Sequence, residues 1–378
     1  MDFDFTDDQD SLRDAVRRWV DKGFTFERRH GLAKAGGATR AVYTELAELG
    51  LTGLVVPEAH GGLGLGAVDA MVVSEVLGHG LVNAPYTFAA LMAPRMLAVA
   101  PEALQAQWLP AMASGEAMVV PALQERAARY QLTQVSTRAT QTASGWQLDG
   151  RKTVVPGGDE ADAYIVPARV NDLSGADNDA AGIALFLVER SAAQVTGYPT
   201  QDGARAADVT LKASAAALIT SDGHAVLEDA VDAGIAAQCA EAVGLMDKLV
   251  AITVEYMNTR KQFGSTLAGF QALRHRMADV KMQLELGRSM SYYASLKLGV
   301  PTEQRRRAIS QARVQLGNSM RFVGQQCIQL HGGIGCTDEY IASHYFKRLT
   351  MLEMSLGDTL HHLGEVSTRM QDTAGVFA

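Results

Sequence analysis

Residues 260–271 read RKQFGSTLAGFQ and residues 329–335 read QLHGGIG, and each stretch interrupts a long run of helical periodicity. Apolar residues recur at helical spacing over 230–260, 270–298, 302–330 and 341–370. Runs of this length with short connections predict antiparallel helices that pack as a four-helix bundle. Both quoted stretches would then lie in connections between these helices.

The remainder of the chain has two other patterns. Residues 1–118 read as helices, and they begin with Thr6-Asp-Asp-Gln9, which has the form of a capping box. Short β-rich segments follow at 131–138, 145–148, 163–170, 182–188 and 208–211, separated by Gly, Asp, Asn and Ser. We therefore predict an α+β multidomain fold: an N-terminal α-helical domain over 1–118, a middle antiparallel β domain over 119–225 and a C-terminal four-helix bundle over 226–378.

Composition narrows the class of protein. The 378 residues carry 34 Lys and Arg against 42 Asp and Glu, a net charge of −8 that argues against a nucleic-acid partner. Cys239, Cys327 and Cys336 have no CxxC spacing, which favours a reducing cytoplasm and no metal site. Every apolar run is interrupted before the roughly 20 residues that a membrane span needs, and the acidic first residues do not resemble a signal peptide. We expect a cytoplasmic protein without a membrane span.

The two quoted stretches carry residues suited to a dinucleotide. Arg260 has a guanidinium that can bind a pyrophosphate in a bidentate manner. Phe263 offers an aromatic face, and Gln271 or Gln329 can satisfy the polar edges of a ring. Glycines over 332–335 allow the backbone to approach a ligand closely. Each feature also has a structural interpretation: a surface arginine, a core phenylalanine and an ordinary turn.

Taken with the order of the domains, these motifs resemble the acyl-CoA dehydrogenase family along essentially the whole chain. Residues 48–64, 107–116, 146–152 and 161–166 also resemble family segments. The resemblance implies that FAD lies across a dimer interface, where one subunit holds the ADP half of a flavin whose ring lies in the other. It assigns cofactor contacts to Arg260, Gln262, Phe263, Gln271, Gln329, Gly332, Gly333, Gly335 and Asp358, and a substrate contact to Gly357.

Two departures from the family concern the flavin ring. Where the family has Thr-Glu-Pro and later Gly-Ser-Asp, residues 122–130 read ALQERAARY and retain only Glu125. Where the family has Trp-Ile-Thr beside the isoalloxazine, residues 153–158 read TVVPGG, and Pro156 has no N–H to donate. The sequence therefore predicts a middle domain that is poorly equipped to hold a flavin ring.

A third departure concerns the catalytic base. Oxidation of an acyl-CoA needs a carboxylate that removes the α-proton. The two base positions known in the family correspond to Leu356, 27 residues after Gln329, and to Gly234, 26 residues before Arg260. Neither side chain accepts a proton, although the Leu356 N–H could still bind a thioester carbonyl. Asp358 is a weak substitute base, and we expect it instead to contact flavin or cap a helix.

Three other polar groups are predicted to have no catalytic role. We expect Asp232 on a solvated helix face, His361-His362 at a surface or interface, and the run 305–307 on a solvated face. Adjacent histidines cannot share one helical face for a metal.

The leading hypothesis is the base-lacking small subunit of a heteromeric acyl-CoA dehydrogenase, similar to pimeloyl-CoA dehydrogenase-like or steroid-side-chain enzymes. The implied partners are an acyl-CoA thioester, a catalytic paralogue in a heterotetramer (or further copies in a homotetramer) and electron transfer flavoprotein as acceptor. Two alternatives stay open. The chain could be a self-sufficient flavoprotein of altered chemistry, such as a flavin-dependent monooxygenase, or a non-catalytic scaffold.

Overall fold

A computed structural model describes residues 4–37, 40–170 and 180–370 of the chain. Helices within these residues are α1 (Asp7–Gly23), α2 (Phe26–Lys34), α3 (Arg40–Glu48), α4 (Ala67–His79), α5 (Ala93–Leu97), α6 (Glu102–Ala113), α7 (Gly223–Thr259), α8 (Gln271–Leu296), α9 (Thr302–His331), α10 (Ile341–Glu353) and α11 (Thr359–Met370). The strands are β1 (Val119–Pro121), β2 (Arg138–Thr142), β3 (Gly145–Pro156), β4 (Ala163–Val170), β5 (Ile183–Glu189), β6 (Gln194–Pro199), β7 (Arg205–Thr220), β8 (Lys261–Gln262) and β9 (Ser265–Thr266).

The chain divides into two compact units. One contains Met1–Arg29, Ala67–Val82 and Ile235–Ala378, and the other contains His30–Gly66 and Asn83–Gly234. The predicted α+β class, with helical N- and C-terminal parts around a β-rich middle, is confirmed. The proposed domain boundaries at 118 and 225 stay a prediction; α6 ends at residue 113 and α7 begins at residue 223.

The first unit is helical apart from the short β8–β9 hairpin. Its N-terminal helix begins with the predicted capping box, because the Thr6 hydroxyl accepts the Gln9 N–H at 3.2 Å and the Gln9 side chain accepts the Thr6 N–H at 3.1 Å. Helices α8 and α9 each bury residues at i, i+4 and i+7, which gives each helix one continuous apolar stripe. These buried positions are Val280, Leu284 and Gly287 on α8, and Leu316, Met320 and Val323 on α9.

The last predicted helix of the bundle, 341–370, is in fact two helices. Helix α10 ends at Glu353 and α11 begins at Thr359. Between them Leu356 has φ 54° and Gly357 has φ 113°, and neither value is compatible with a continuing α-helix. The prediction of one helix was wrong because the apolar pattern continues across this turn.

The second unit contains the sheet. Its strands run in the order β1-β4-β2-β3-β7-β5, β6 pairs with β7, and β5 pairs with both β4 and β7, so the sheet closes on itself. Most pairs are antiparallel, as expected, but β1–β4 and β2–β4 are parallel. Strands β4 and β5 are buried over nearly their whole length and form the apolar centre of this unit.

The strand predicted over 131–138 was wrong for most of its length, because β2 begins only at Arg138. The Glu125 carboxylate accepts the backbone N–H groups of Ser136 and Thr137 at 2.7 and 3.0 Å. These donors are therefore bound to a side chain and are not available to a neighbouring strand. Among the described residues, no helix is long and apolar enough to cross a membrane.

Candidate active site

Residues 260–271 form an exposed hairpin at the end of α7. Strands β8 and β9 pair across a two-residue turn at Phe263 and Gly264, with φ values of 53° and 78° that are typical of a tight hairpin turn. Arg260 is exposed, and Phe263 is 90% exposed at the tip. The interpretation of Phe263 as a core residue is therefore wrong. Its ring is therefore accessible to a ligand or to another chain.

The glycine turn lies at the end of α9. Gly332 has φ 64° and ψ −143°, a conformation that only glycine adopts readily. Cβ atoms built on Gly332 and Gly333 would meet nothing within 4 Å, so the backbone there is open to a ligand. Gly335 differs because it is buried against Ile328. Its role is to let the turn fold back on α9.

Tyr256 joins these two segments. It lies one helical turn before Arg260, and its backbone carbonyl accepts the Arg260 N–H at 2.8 Å. The Tyr256 hydroxyl donates to the His331 carbonyl at 3.3 Å. The Tyr256 and His331 rings are 4.6 Å apart, and His331 is 5.1 Å from Tyr340. The structure thus brings the predicted arginine and glycine elements into one region of the first unit. Sequence reasoning missed Tyr256, whose only signal was its position four residues before Arg260.

These residues fit the ADP half of FAD. An exposed guanidinium, an exposed aromatic ring and an open glycine backbone are the groups that a pyrophosphate and an adenosine would need. Gln271 and Gln329 are also exposed, at the first residue of α8 and near the end of α9. Gln262 is exposed within β8.

The turn 354–358 occupies the predicted base position. Leu356 is half-buried, and its side chain is aliphatic, so the turn presents no proton acceptor at this position. Gly234 is buried inside α7. Asp358 accepts the His361 N–H at 2.8 Å through Oδ1 and so caps the start of α11, which is one of the roles expected for it.

The expectation of a solvated Asp232 was wrong, as were the surface placement of His362 and the solvated placement of Arg305 and Arg306, whereas His361 and Arg307 are half-buried. Asp232 is fully buried, His362 is 1% exposed, and Arg305 and Arg306 are each 8% exposed. Helix α11 packs against α9, which buries His362 on α11 and Arg305 and Arg306 on α9. Asp232 lies elsewhere, on α7, within a run of residues that are mostly buried. The sequence pattern around each residue gives no sign of this packing.

In the segment 153–158, which is predicted to lack flavin-ring contacts, backbone N–H groups form hydrogen bonds within the chain. The Thr153 N–H donates to the Gln124 carbonyl at 2.8 Å, and the Val154 N–H donates to Asp208 Oδ1 at 3.3 Å. Val154 has φ 51°, and the pairing of β3 with β7 shifts register between Lys152 and Val155. The backbone donors of this strand end are therefore taken by the chain itself.

Glu125 is turned into the interior of the second unit. It is 5% exposed and accepts Lys152 Nζ at 2.6 Å and the Thr137 hydroxyl at 2.7 Å. Burial raises the pKa of Glu125, but the Lys152 charge and the hydrogen bonds outweigh it and lower this pKa to about 2. Glu125 is thus an ionised partner of a buried lysine and is not available to a ligand.

Comparisons with known proteins agree with this geometry. Models of the acyl-CoA dehydrogenase N-terminal, middle and C-terminal domains match residues 6–116, 121–213 and 221–371. The chain therefore belongs to the acyl-CoA dehydrogenase family. Membership makes it an FAD-binding oxidoreductase that acts on CH–CH groups.

Individual relatives are distant but cover almost the whole chain. The chain is 26% identical to acyl-CoA dehydrogenase FadE27 of Mycobacterium tuberculosis, over 99% of this chain and 100% of that one. It is similar to the Tcur3481–Tcur3483 steroid ACAD (TM-score 0.86, 25% identity, 97% of this chain and 99% of that chain). It also resembles the ChsE4–ChsE5 complex from Mycobacterium tuberculosis (TM-score 0.86, 24% identity, 98% and 99%).

Proposed function

We propose that the chain is the base-lacking small subunit of a heteromeric FAD-dependent acyl-CoA dehydrogenase. The observation that carries the proposal is the turn 354–358, which has an ordered backbone at the family's base position but presents Leu356 instead of a carboxylate. Proton removal by a positioned carboxylate contributes about 10²–10⁴-fold to such a reaction. The partner would supply that carboxylate.

The division of flavin contacts supports the same assignment. Arg260, Phe263 and the Gly332–Gly333 backbone are exposed and would hold the ADP half, together with Gln262, Gln271 and Gln329. Of the other two expected cofactor contacts, Gly335 would act by shaping the glycine turn and Asp358 by capping α11. In contrast, the strand end at Thr153 and Val154 has its N–H groups bonded within the chain. FAD, when bound, accepts a hydride from the β-carbon of the acyl group. This chain's residues would bind and orient its nucleotide end.

The proposed partner is a catalytic acyl-CoA dehydrogenase paralogue, in a heterotetramer. The ChsE4–ChsE5 structure is a complex of two differently named chains, which gives a precedent for such an assembly. The chain also has the same fold as a structure described under the electron transferring flavoprotein of Acidaminococcus fermentans. This similarity supports electron transfer flavoprotein as the electron acceptor. A cytoplasmic location remains part of the proposal.

The alternatives have less support. A self-sufficient flavoprotein, such as a monooxygenase, would need a flavin-ring site of its own, and the internal bonds of Thr153 and Val154 oppose this. A pure scaffold would not need the exposed Phe263 or the open glycine backbone.

Arg260→Ala is expected to reduce the FAD affinity of the assembled oligomer by about 10- to 150-fold. The change removes a bidentate charge-assisted contact with the pyrophosphate, worth about 1.5–3 kcal/mol. Because Arg260 is exposed, the fold should stay intact. Flavin absorbance of the purified oligomer, followed by titration with free FAD, measures the effect.

Arg17→Ala is the matched control, since Arg17 is an exposed arginine on α1 that has no proposed role. The control should retain the flavin of the unmodified protein. Equal flavin retention in the Arg260 and Arg17 variants would contradict the role given to Arg260.

A further inference from the structure

Residues 258–278, which we call the arm, form a regular segment that the rest of the chain does not cover. The arm contains the β8–β9 hairpin and the beginning of α8. Its tip is fixed against the start of the helix, because the Phe263 and Phe270 rings meet edge to face at 6.2 Å. None of the residues of the arm is buried, whereas Val280, the second residue after it, is buried on α8.

The charge of the arm is opposite to that of the rest of the chain. The arm carries Arg260, Lys261, Arg274 and Arg276 and has no Asp or Glu, whereas the remaining residues carry 30 Lys and Arg against 42 Asp and Glu. A local charge of +4 therefore lies on a chain whose net charge is −8. Charge that is segregated in this way guides association with a surface of the opposite sign.

The four cations of the arm are not neutralised by their own chain. Throughout the part of the chain that the structure describes, their side chains make no ion pair and no hydrogen bond. The other cations of α8 differ in this respect. Arg288 is paired with Glu75 and Asp247, and Lys281 Nζ lies 2.7 Å from Glu285. On α8 the unpaired cations therefore lie only on the arm.

FAD would neutralise only part of this charge. Its pyrophosphate carries about two negative charges, fewer than the four positive charges of the arm. Arg260 is assigned to the pyrophosphate of a flavin whose ring is held by the partner, so the partner is the chain that faces the arm. The remaining cations would then meet acidic side chains of that partner.

We propose that the arm is the docking surface for the catalytic partner, and that it fits a face of the partner that is rich in Asp and Glu. The inference rests on the proposed function, which supplies the partner. It goes further in giving Lys261, Arg274 and Arg276 a role in assembly and in stating the chemistry of the face that they meet. Because the rest of this chain is acidic, such a face is repelled from other directions and guided to the arm.

Removal of three charges tests this role without changing Arg260. The variant Lys261→Gln, Arg274→Gln, Arg276→Gln lowers the charge of the arm from +4 to +1. Each purified chain is mixed with the acyl-CoA dehydrogenase paralogue with which it is co-purified, at saturating FAD. Stopped-flow light scattering gives the association rate constant in ~0.01 M and in ~1 M salt, where the Debye length is about 30 Å and about 3 Å.

The matched control removes the same charge from a different helix. Arg17, Arg18 and Lys22 are exposed on α1, and all three are replaced by Gln. The arm variant is expected to associate about 10-fold or more slowly than the unmodified chain in low salt, and within about 2-fold of it in high salt. The control should change by at most about 3-fold in either. If the triple arm variant does not fold, Lys261→Gln with Arg274→Gln takes its place, since both side chains are exposed.

Equal slowing of the arm variant and the control would show a general effect of net charge and would overturn the inference. An arm variant that associates as fast as the unmodified chain in low salt would overturn it too, and in both cases the proposed function stands because the complex still forms. If the arm variant disperses oligomers of the lone chain but leaves assembly with the paralogue unchanged, the arm docks on a second copy and the inference is wrong. If the unmodified chain forms no complex with the paralogue in either salt, the proposed function fails, and the inference fails with it.

Discussion

Lys152→Met is expected to lower the free energy of unfolding of the second unit by about 3–5 kcal/mol. Lys152 is fully buried, and its ammonium donates to Glu125 at 2.6 Å and to the Pro167 carbonyl at 2.9 Å. Methionine fills a similar volume but leaves the Glu125 carboxylate buried without its counter-charge, which is the costly way to break a buried ion pair. Urea unfolding measures the loss when it is followed by tryptophan fluorescence in a Trp19→Phe, Trp108→Phe background. The remaining Trp146 packs on Phe186 in the same unit as Lys152 and reports on that unit.

The double variant Glu125→Gln with Lys152→Met is the control. Ser136 and Thr137 donate to different oxygens of the Glu125 carboxylate, so the single amide oxygen of glutamine keeps only one of these two hydrogen bonds. No charge is left in the interior, however, so part of the lost stability should return. If the single and double variants were equally destabilised, the charge of Glu125 would not be the cause.

The same pair predicts a dependence of stability on pH. The pKa of Glu125 is lowered to about 2 in the folded state from an ordinary value near 4.5, so the folded state binds fewer protons than the unfolded state in this range. Its contribution, on the order of 3 kcal/mol, is present above pH 4.5 and is lost as the pH falls toward 2. The double variant should lack this acid-dependent loss.

The second large effect concerns turnover. The chain alone is expected to oxidise acyl-CoA about 10²–10⁴-fold more slowly than the complex with its partner, because neither Leu356 nor Gly234 can remove a proton. Reduction of an artificial acceptor, assayed with a panel of acyl-CoA thioesters, measures this difference.

Leu356→Glu tests why the lone chain is slow. Under the proposed division of labour this substitution returns a carboxylate to the turn but not a flavin-ring site, so the lone chain should stay slow. A large gain in turnover from Leu356→Glu alone would mean that the ring site is intact, and that only the base had been lost. Asp358→Asn should have no effect on turnover in either background, because Asp358 caps α11.

The elements that the sequence predicted well are those set by local burial. Strand β4 spans 163–170 as expected, because nearly all of its residues are buried and form a predominantly apolar run in the sequence. Helices α8 and α9 follow their apolar stripes closely, with buried residues such as Leu284 and Leu316 at helical spacing. The local pattern of apolar residues is sufficient to predict a helix or strand whose own residues are buried at the period of that element.

What the sequence could not predict depends on residues far apart in the chain. His362 is buried because it meets Ser310, which is 52 residues away, and Arg313 is buried because it binds carbonyls about 40 residues away. No local pattern distinguishes these side chains from solvated ones. Tyr256 was missed for the same reason, since its contact with His331 spans 75 residues.

Under the proposed function, this chain holds the ADP half of a flavin whose ring and catalytic base belong to a partner. The most direct test is the flavin content per chain, measured by absorbance, for the chain purified alone and for the chain purified with its paralogue. The lone chain should be colourless or well below one FAD per chain, and the complex should contain one FAD per heterodimeric interface. One FAD per chain together with rapid acyl-CoA oxidation in the lone protein would contradict this division of the flavin site between two chains.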